Sequence, residues 1–287
     1  MKHALCSLLL IIVFLEACKK HPYPYPGGHG KCPEIADCQL ESMYLTNWTG
    51  YPYVNGPTYN ARVRRDSQRK PVWFKGHSTH WTGPMNCLIQ YQGRLVKFID
   101  SVSGQRFADV WLNDCGQPDS SVVYAPDYPH NNLSPHKAKY HYHNKQITGW
   151  TEYFFDNPPV EVTVDRDQHG NVKRLGNDQN YISYEYDLTK PAKGAKFHHC
   201  HYFSPSWTMP IVLEYLGFLQ INSKHLPRHS ESWGGSYRFA TVDFKNIVVS
   251  GDKILSYDVT DAYEGGSGWT IYSVAMTWDC GKGGGKW

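Results

Sequence analysis

Between residues 88 and 187 the chain alternates apolar and polar side chains in short runs, each broken by glycine, asparagine or aspartate. Few architectures accept that rhythm. Leu88-Ile89-Gln90-Tyr91 is followed by Gly93-Arg94-Leu95-Val96-Lys97-Phe98, and Val110-Trp111-Leu112 leads through Asn113-Asp114-Cys115-Gly116 into Ser121-Val122-Val123-Tyr124. Tyr140-His141-Tyr142 turns at His143-Asn144-Lys145 into Gln146-Ile147-Thr148-Gly149-Trp150. The run from Val160 to Leu175 turns around Gln168-His169-Gly170-Asn171. A period of two puts one set of side chains on one face of a strand. β-Branched and aromatic residues suit a half-buried pleated surface. Gly, Asn and Asp at the breaks accept the positive φ of hairpin turns. The pattern predicts a mainly β protein: an antiparallel β-meander of successive hairpins, as a curved sheet or a sandwich, with at most one or two short helices.

The rest of the chain fits that frame. Met43-Tyr44-Leu45, Arg62-Val63 and Val72-Trp73-Phe74 are short strand candidates in a segment rich in Gly, Pro and aromatics. Residues 124–137 carry three prolines and read as a loop, because proline cannot donate to a ladder. Residues 188–196 are a second interruption. Within 205–226, residues 210–219 (PIVLEYLGFL) are the one helical candidate, with Pro210 suited to a first helical turn. Residues 235–280 return to strands, with a hairpin turn at Ser250-Gly251-Asp252-Lys253. Residues 32–287 therefore read as a single β-rich domain, with its hairpins over about 86–190.

The N-terminus is an address. Met1-Lys2-His3 is followed by an apolar run over residues 5–15, too short for a bilayer-spanning helix and of signal-peptide length. Leu15-Glu16-Ala17-Cys18 resembles a bacterial lipobox, with Glu16 where a small residue is usual, and Lys19-Lys20 follow as in many Bacteroidetes lipoproteins. The resemblance implies cleavage of residues 1–17 and lipid on the Cys18 sulfur. Two or more acyl chains hold a protein on a membrane. Residues 18–31, with alternating prolines and then glycines, read as a tether. Later segments are not apolar enough to cross a bilayer as helices.

Composition narrows the partners. A formal net charge of +3, with Arg62-Val63-Arg64-Arg65 the densest basic run, gives no nucleic-acid footprint. The 21 Tyr and 10 Trp could stack on sugars, or simply suit a sheet with one face half buried. Six cysteines remain after Cys6 leaves with the signal and Cys18 takes lipid: Cys32, Cys38, Cys87, Cys115, Cys200 and Cys280. An even count in an exported protein suggests disulfides, with fifteen connectivities open. The expected pairs are Cys32–Cys38 and Cys87–Cys115, with Cys200–Cys280 by elimination. Reduced, buried cysteines are the alternative.

Asp167-Gln168-His169-Gly170-Asn171-Val172-Lys173-Arg174-Leu175, followed by Tyr181-Ile182-Ser183-Tyr184-Glu185-Tyr186-Asp187, resembles a YD-type repeat, and Gly93-Arg94-Leu95 echoes its G-R-L. Similar strings occur in Bacteroidetes lipoproteins and in the β shells of Rhs and teneurin proteins. The resemblance covers about residues 86–190 and, weakly, 235–280, and the chain is far too short for a closed Rhs shell. It brings no catalytic residues.

Chemistry is sparse. His198-His199-Cys200-His201 is the sharpest cluster: in a strand His199 and His201 share a face, and two imidazoles could bind zinc with a third ligand. His141 and His143 share a face as well and could supply it. No CxxC pair, HExxH or G-x-S-x-G is present. Ser267 lies in the loop signal Gly265-Gly266-Ser267-Gly268, and no carboxylate pair stands out for glycoside hydrolysis. The sequence thus predicts no cofactor beyond that zinc option. It predicts a lipid-anchored protein of the cell envelope, held on the outer membrane, acting as a non-enzymatic binding or structural module. The alternative is a glycan-binding accessory protein or glycoside hydrolase using a Trp/Tyr-rich surface. Its partners would be the membrane, through the N-terminal lipid, and a glycan or another envelope protein.

Overall fold

Three hairpins of this protein end in the same loop, and its chemistry is local. Asp66 Oδ1 accepts the amides of Gln68 and Lys70, both at 2.9 Å. Asn113 Oδ1 accepts those of Cys115 and Gln117, and Asp167 Oδ1 those of His169 and Asn171. Three residues further on, Arg69, Gly116 and Gly170 adopt φ of 64°, 73° and 83°. An Asx side chain that caps its own turn, followed by one left-handed residue, reverses a strand in five residues. At Asp167 burial pushes the carboxyl up. The Asn171 side chain and the Asn171 and His169 amides outweigh that and hold it below the usual carboxylate range.

The computed structural model describes residues 38–51, 60–77, 85–124, 136–153, 158–191, 208–251, 253–263 and 269–280. Pro33–Trp287 forms one compact unit. Its described residues form sixteen strands. The first eight are β1 (Gln39–Tyr51), β2 (Asn60–Arg65), β3 (Pro71–His77), β4 (Met85–Gln92), β5 (Leu95–Asp100), β6 (Arg106–Leu112), β7 (Pro118–Val123) and β8 (His136–His143). The second eight are β9 (Gln146–Tyr153), β10 (Val160–Arg166), β11 (Val172–Gly176), β12 (Asn180–Pro191), β13 (His225–Gly234), β14 (Tyr237–Ser250), β15 (Lys253–Tyr263) and β16 (Trp269–Asp279). Each strand pairs antiparallel with its sequence neighbours, and β1 pairs with β16, so the sheet is a closed barrel. The antiparallel meander of hairpins is as the sequence predicts. The curved sheet or sandwich is corrected to a closed barrel, because the β1–β16 ladder, with Met43 opposite Met276, leaves no free edge.

Two other expectations change. β12 runs on to Pro191, so the interruption at 188–196 begins later than the sequence implied, and β13 is a strand where none was predicted. The one helix among the described residues, α1 (Thr208–Leu216), falls where Pro210 placed it. The signal peptide, the tether and the 281–287 tail lie outside the described residues.

Alternation sorts the wall. On β8, Ala138 and Tyr140 are buried while Lys137, Lys139, His141 and His143 are not. On β10, Val162 and Val164 are buried and Glu161, Thr163 and Asp165 are exposed. The buried set from around the ring forms one cluster with Val212, Leu213 and Leu216 of α1, so the apolar face is the inner one. A round barrel of 16 strands leaves an aqueous channel. Here Val96, Phe98, Val110, Leu175 and Ile254 are fully covered, so the interior is filled at these positions, and α1 shares in that core.

Close approach of β9 to β10 depends on Gly149 (φ 153°), where an added Cβ would run into the Val162 carbonyl oxygen. Gly149→Ala should therefore destabilise the barrel by at least about 3 kcal/mol, read as a lower urea midpoint, because the obstacle is backbone and cannot rotate away.

Candidate functional site at the turn end of the barrel

In an up-and-down barrel the connections after even-numbered strands share one end with the start of β1 and the finish of β16. Here that end holds the three Asx loops, the β14–β15 turn and the long β12–β13 connection. The connection stoppers the barrel. Tyr215 of α1 meets Phe74 of β3, ring centroids 6.0 Å apart. The carbonyl of Leu216, at the negative end of the helix, accepts from Arg65 Nη2 at 3.3 Å, and Arg65 Nε donates to Gln39 Oε1. Burial lowers the Arg65 guanidinium to about 10, with Asp279 the largest opposing influence.

Past α1, Leu219 and Ile221 stay buried, and the chain then docks on the β10–β11 loop. Arg166 donates to the Asn222 carbonyl, Ser223 Oγ accepts from the Val172 amide, and Asn171 Oδ1 accepts the amides of Lys224 and His225, both at 2.9 Å. The Asn171 that read as a turn residue is thus also a buried latch, which its local sequence does not disclose.

Beside this stopper opens a cleft of about 450 Å³. Its walls are the end of β12 (Asp187, Thr189, Lys190, Pro191), the start of β13 (Leu226, Pro227, Arg228) and the end of β14 (Phe244, Asn246, Ile247, Val249). It exists because the β13–β14 pairing runs only from Gly234–Tyr237 to His229–Asp243, after which the two strands part. Of these only Asp187 stood out in the sequence, and as part of a repeat-like string rather than of a site. Their signal would have been the unmatched strand lengths, ten residues in β13 against fourteen in β14.

The outer wall carries charge at mid-strand, as at Lys97, Lys139, Glu185, Asp243 and Asp258, and nearer a strand end at Glu161. Several are paired across strands, as in Lys139–Asp119 at 2.8 Å and Arg228–Glu185 at 2.7 Å. Ser273 and Asn246 donate to Asp258 and lower its carboxyl pKa.

The predicted site residues separate. His141 Nε2 lies 2.7 Å from Thr151 Oγ1, which donates to Glu161 Oε1 at 2.8 Å. Because the threonine proton goes to the carboxylate, His141 is the donor in its bond, and Thr151 is not activated as a nucleophile. His143 is exposed on the same face, and His199 and His201 lie outside the described residues. Among the described residues no three potential ligands converge on a metal position.

The expected disulfide pairing is corrected. Cys38 bonds Cys280, so neither joins its predicted partner Cys32 or Cys200. Cys115 is disulfide-bonded, but not to Cys87, which is a free buried thiol whose pKa burial pushes up to about 12. Cys18, Cys32 and Cys200 lie outside the described residues. Exposed aromatics are dispersed: Tyr44 on β1, Trp111 on β6, Tyr153 on β9 and Tyr237 on β14. Tyr181 and Trp233 stack across β12 and β13, with Arg174 over the tyrosine ring.

What the fold defines is an up-and-down antiparallel barrel with an apolar interior and a stoppered end. Among solved structures it is similar to a porin-like protein from Bacteroides uniformis, with a TM-score of 0.59 at 12% identity. It is also similar to a porin-like protein from Bacteroides vulgatus, with a TM-score of 0.52 at 12% identity. Each match covers 84% of this chain and 98% of the other. At that identity the likeness is one of fold. No protein-family model and no curated protein matches the sequence. These neighbours overturn the resemblance to YD-repeat, Rhs-like and teneurin-like shells. The Asp167–Asn171 string belongs to a loop that also closes β2–β3 and β6–β7, so it reports hairpin chemistry rather than that family.

Proposed function

We propose that this protein is a lipid-anchored envelope barrel that sits at the outer membrane without crossing it and serves as a binding or structural module rather than a pore. The observation that carries the reading is the polarity of the wall. A membrane-spanning barrel turns an apolar band outward, and Arg or Lys at the bilayer midplane costs it about 2–4 kcal/mol each. This wall turns Lys97, Lys139, Glu161, Glu185 and Asp243 outward and keeps most of its apolar side chains inside, with Leu88 and Trp111 among the few exposed ones. The covered interior and the α1 stopper speak against conduction. Attachment then falls to the lipid on Cys18, which the lipobox-like Leu15-Glu16-Ala17-Cys18 supports.

Fractionation of wild type and Cys18→Ala tests this. Wild type should label with palmitate and stay with the membrane through an alkaline carbonate wash. Cys18→Ala should lose the label and be stripped by that wash. A Cys18→Ala protein that resists the wash as firmly as wild type would mean the strands themselves cross the bilayer, and the proposal would fall.

A further inference from the structure

The stoppered end of the barrel carries four exposed aliphatic side chains. Leu188 and Val248 are each 50% exposed, Leu255 38% and Val249 36%. They lie on the ends of β12, β14 and β15 at and beside the cleft, whose walls include their neighbours Asp187, Thr189 and Ile247. Elsewhere on the wall the large exposed apolar residues stand singly on separate strands, as Leu88 does on β4 and Trp111 on β6. Exposed apolar groups concentrated at one end of a barrel point to a contact there.

The surrounding charges say what kind. Lys190 pairs with Asp187 at 3.2 Å, Arg228 with Glu185 at 2.7 Å and Lys245 with Asp243 at 3.8 Å. The rim is therefore close to neutral. It offers no charge pattern to select a strongly acidic or basic partner. It does offer long lysine stems, which lie along apolar surface while the ammonium reaches water.

Position supplies the occupant. β1 starts at this same end, at the Cys38–Cys280 bridge. Residues 19–37 separate Cys18 from it. That length reaches at most about 65 Å fully extended. A lipid on Cys18 would hold this end near the bilayer at an effective concentration in the millimolar range.

We propose that the ends of β12, β14 and β15 form a membrane-contact rim. Leu188, Val248, Val249 and Leu255 enter the boundary between headgroups and acyl chains of the phospholipid surface to which the chain is tethered. The inference rests on the lipid-anchored reading and adds to it an orientation, with the stoppered end toward the membrane and the opposite loops away from it.

The test uses the compact unit from Pro33 onward, which holds the whole closed barrel and its bridge but no lipid. Co-sedimentation with phosphatidylethanolamine/phosphatidylglycerol vesicles at millimolar lipid should show measurable binding. The quadruple variant Leu188→Ser, Val248→Ser, Val249→Ser, Leu255→Ser should reduce the partition coefficient by about tenfold or more. Its unfolding midpoint should stay near that of wild type, since each of the four side chains is at least 36% exposed. A Leu88→Ser, Trp111→Ser control on the wall should bind as wild type does. The rim is overturned if the wild-type unit shows no vesicle binding, if the quadruple variant binds equally, or if sedimentation shows a dimer that the same substitutions abolish. Palmitate labelling of the full chain separates the two ideas: a labelled chain whose unit ignores vesicles sinks the rim alone. An unlabelled chain whose unit still binds vesicles through these residues sinks the anchor alone.

Discussion

The double variant Cys38→Ser, Cys280→Ser should lose about 5 kcal/mol of stability against urea. The bridge spans 242 residues, and closing a loop of that length removes more unfolded-state entropy than any shorter pairing in this chain could. It also sits at the one junction that sequence proximity cannot assist. Every other ladder joins strands adjacent in the chain, whereas β1 and β16 must find each other after fourteen strands have formed between them. What remains at the seam includes the ladder itself, the Ser42–Thr277 hydroxyl pair at 2.7 Å and the bond Thr277 donates to the Glu41 carboxylate at 3.2 Å. Urea unfolding of wild type with and without reductant, beside the double variant, measures the effect. A difference under about 1 kcal/mol would show that the bridge does not constrain the unfolded chain as the loop-entropy account requires.

Leu213→Asp should unseat the α1 stopper. Leu213 is fully buried on a helix whose neighbours Val212 and Leu216 join the same core. Truncating such a residue to alanine costs about 2–5 kcal/mol. A carboxylate there adds the cost of burying a charge with no designed partner, so a loss above about 4 kcal/mol is expected. The barrel supplies its own reporter. Cys87 is a free, fully covered thiol paired in register with Phe74, and Phe74 packs against Tyr215 of α1. With its pKa pushed up to about 12 it holds almost no thiolate at neutral pH, so native wild type should resist alkylation. In Leu213→Asp the modification rate of Cys87 should rise by at least about tenfold as the helix leaves Phe74. Full protection of Cys87 together with a lowered urea midpoint would mean that α1 stays seated and the loss arises elsewhere.

The hairpins were legible because their causes are local. Asn144 and Lys145, at φ of 47° and 65°, turn β8 into β9 within two residues, as the Asn at the break implied. Pro210 marked the start of the one described helix. The cleft was not legible, since it arises where β13 and β14 part beyond His229–Asp243 and that depends on what each strand meets on its far side. The cysteine pairs failed for a related reason. Nearness in sequence favoured Cys87 with Cys115, but Cys87 points into the core from β4, where no second thiol reaches it. The D-x-x-G-N string misled because an Asx-capped turn is a general way to reverse a strand, and it belongs to no single family.

By itself the sequence determined a β meander, its hairpin turns and one helical insertion, because φ preference and period-two alternation act over a handful of residues. Tertiary structure alone decided that the meander closes, that Cys38 meets Cys280 and that α1 fills one end. It also decided which way the wall faces. The same alternation serves a barrel with its apolar side toward lipid and one with its apolar side inward. Only the enclosure of that face around α1, by strands more than two hundred residues apart, assigns it to the inside.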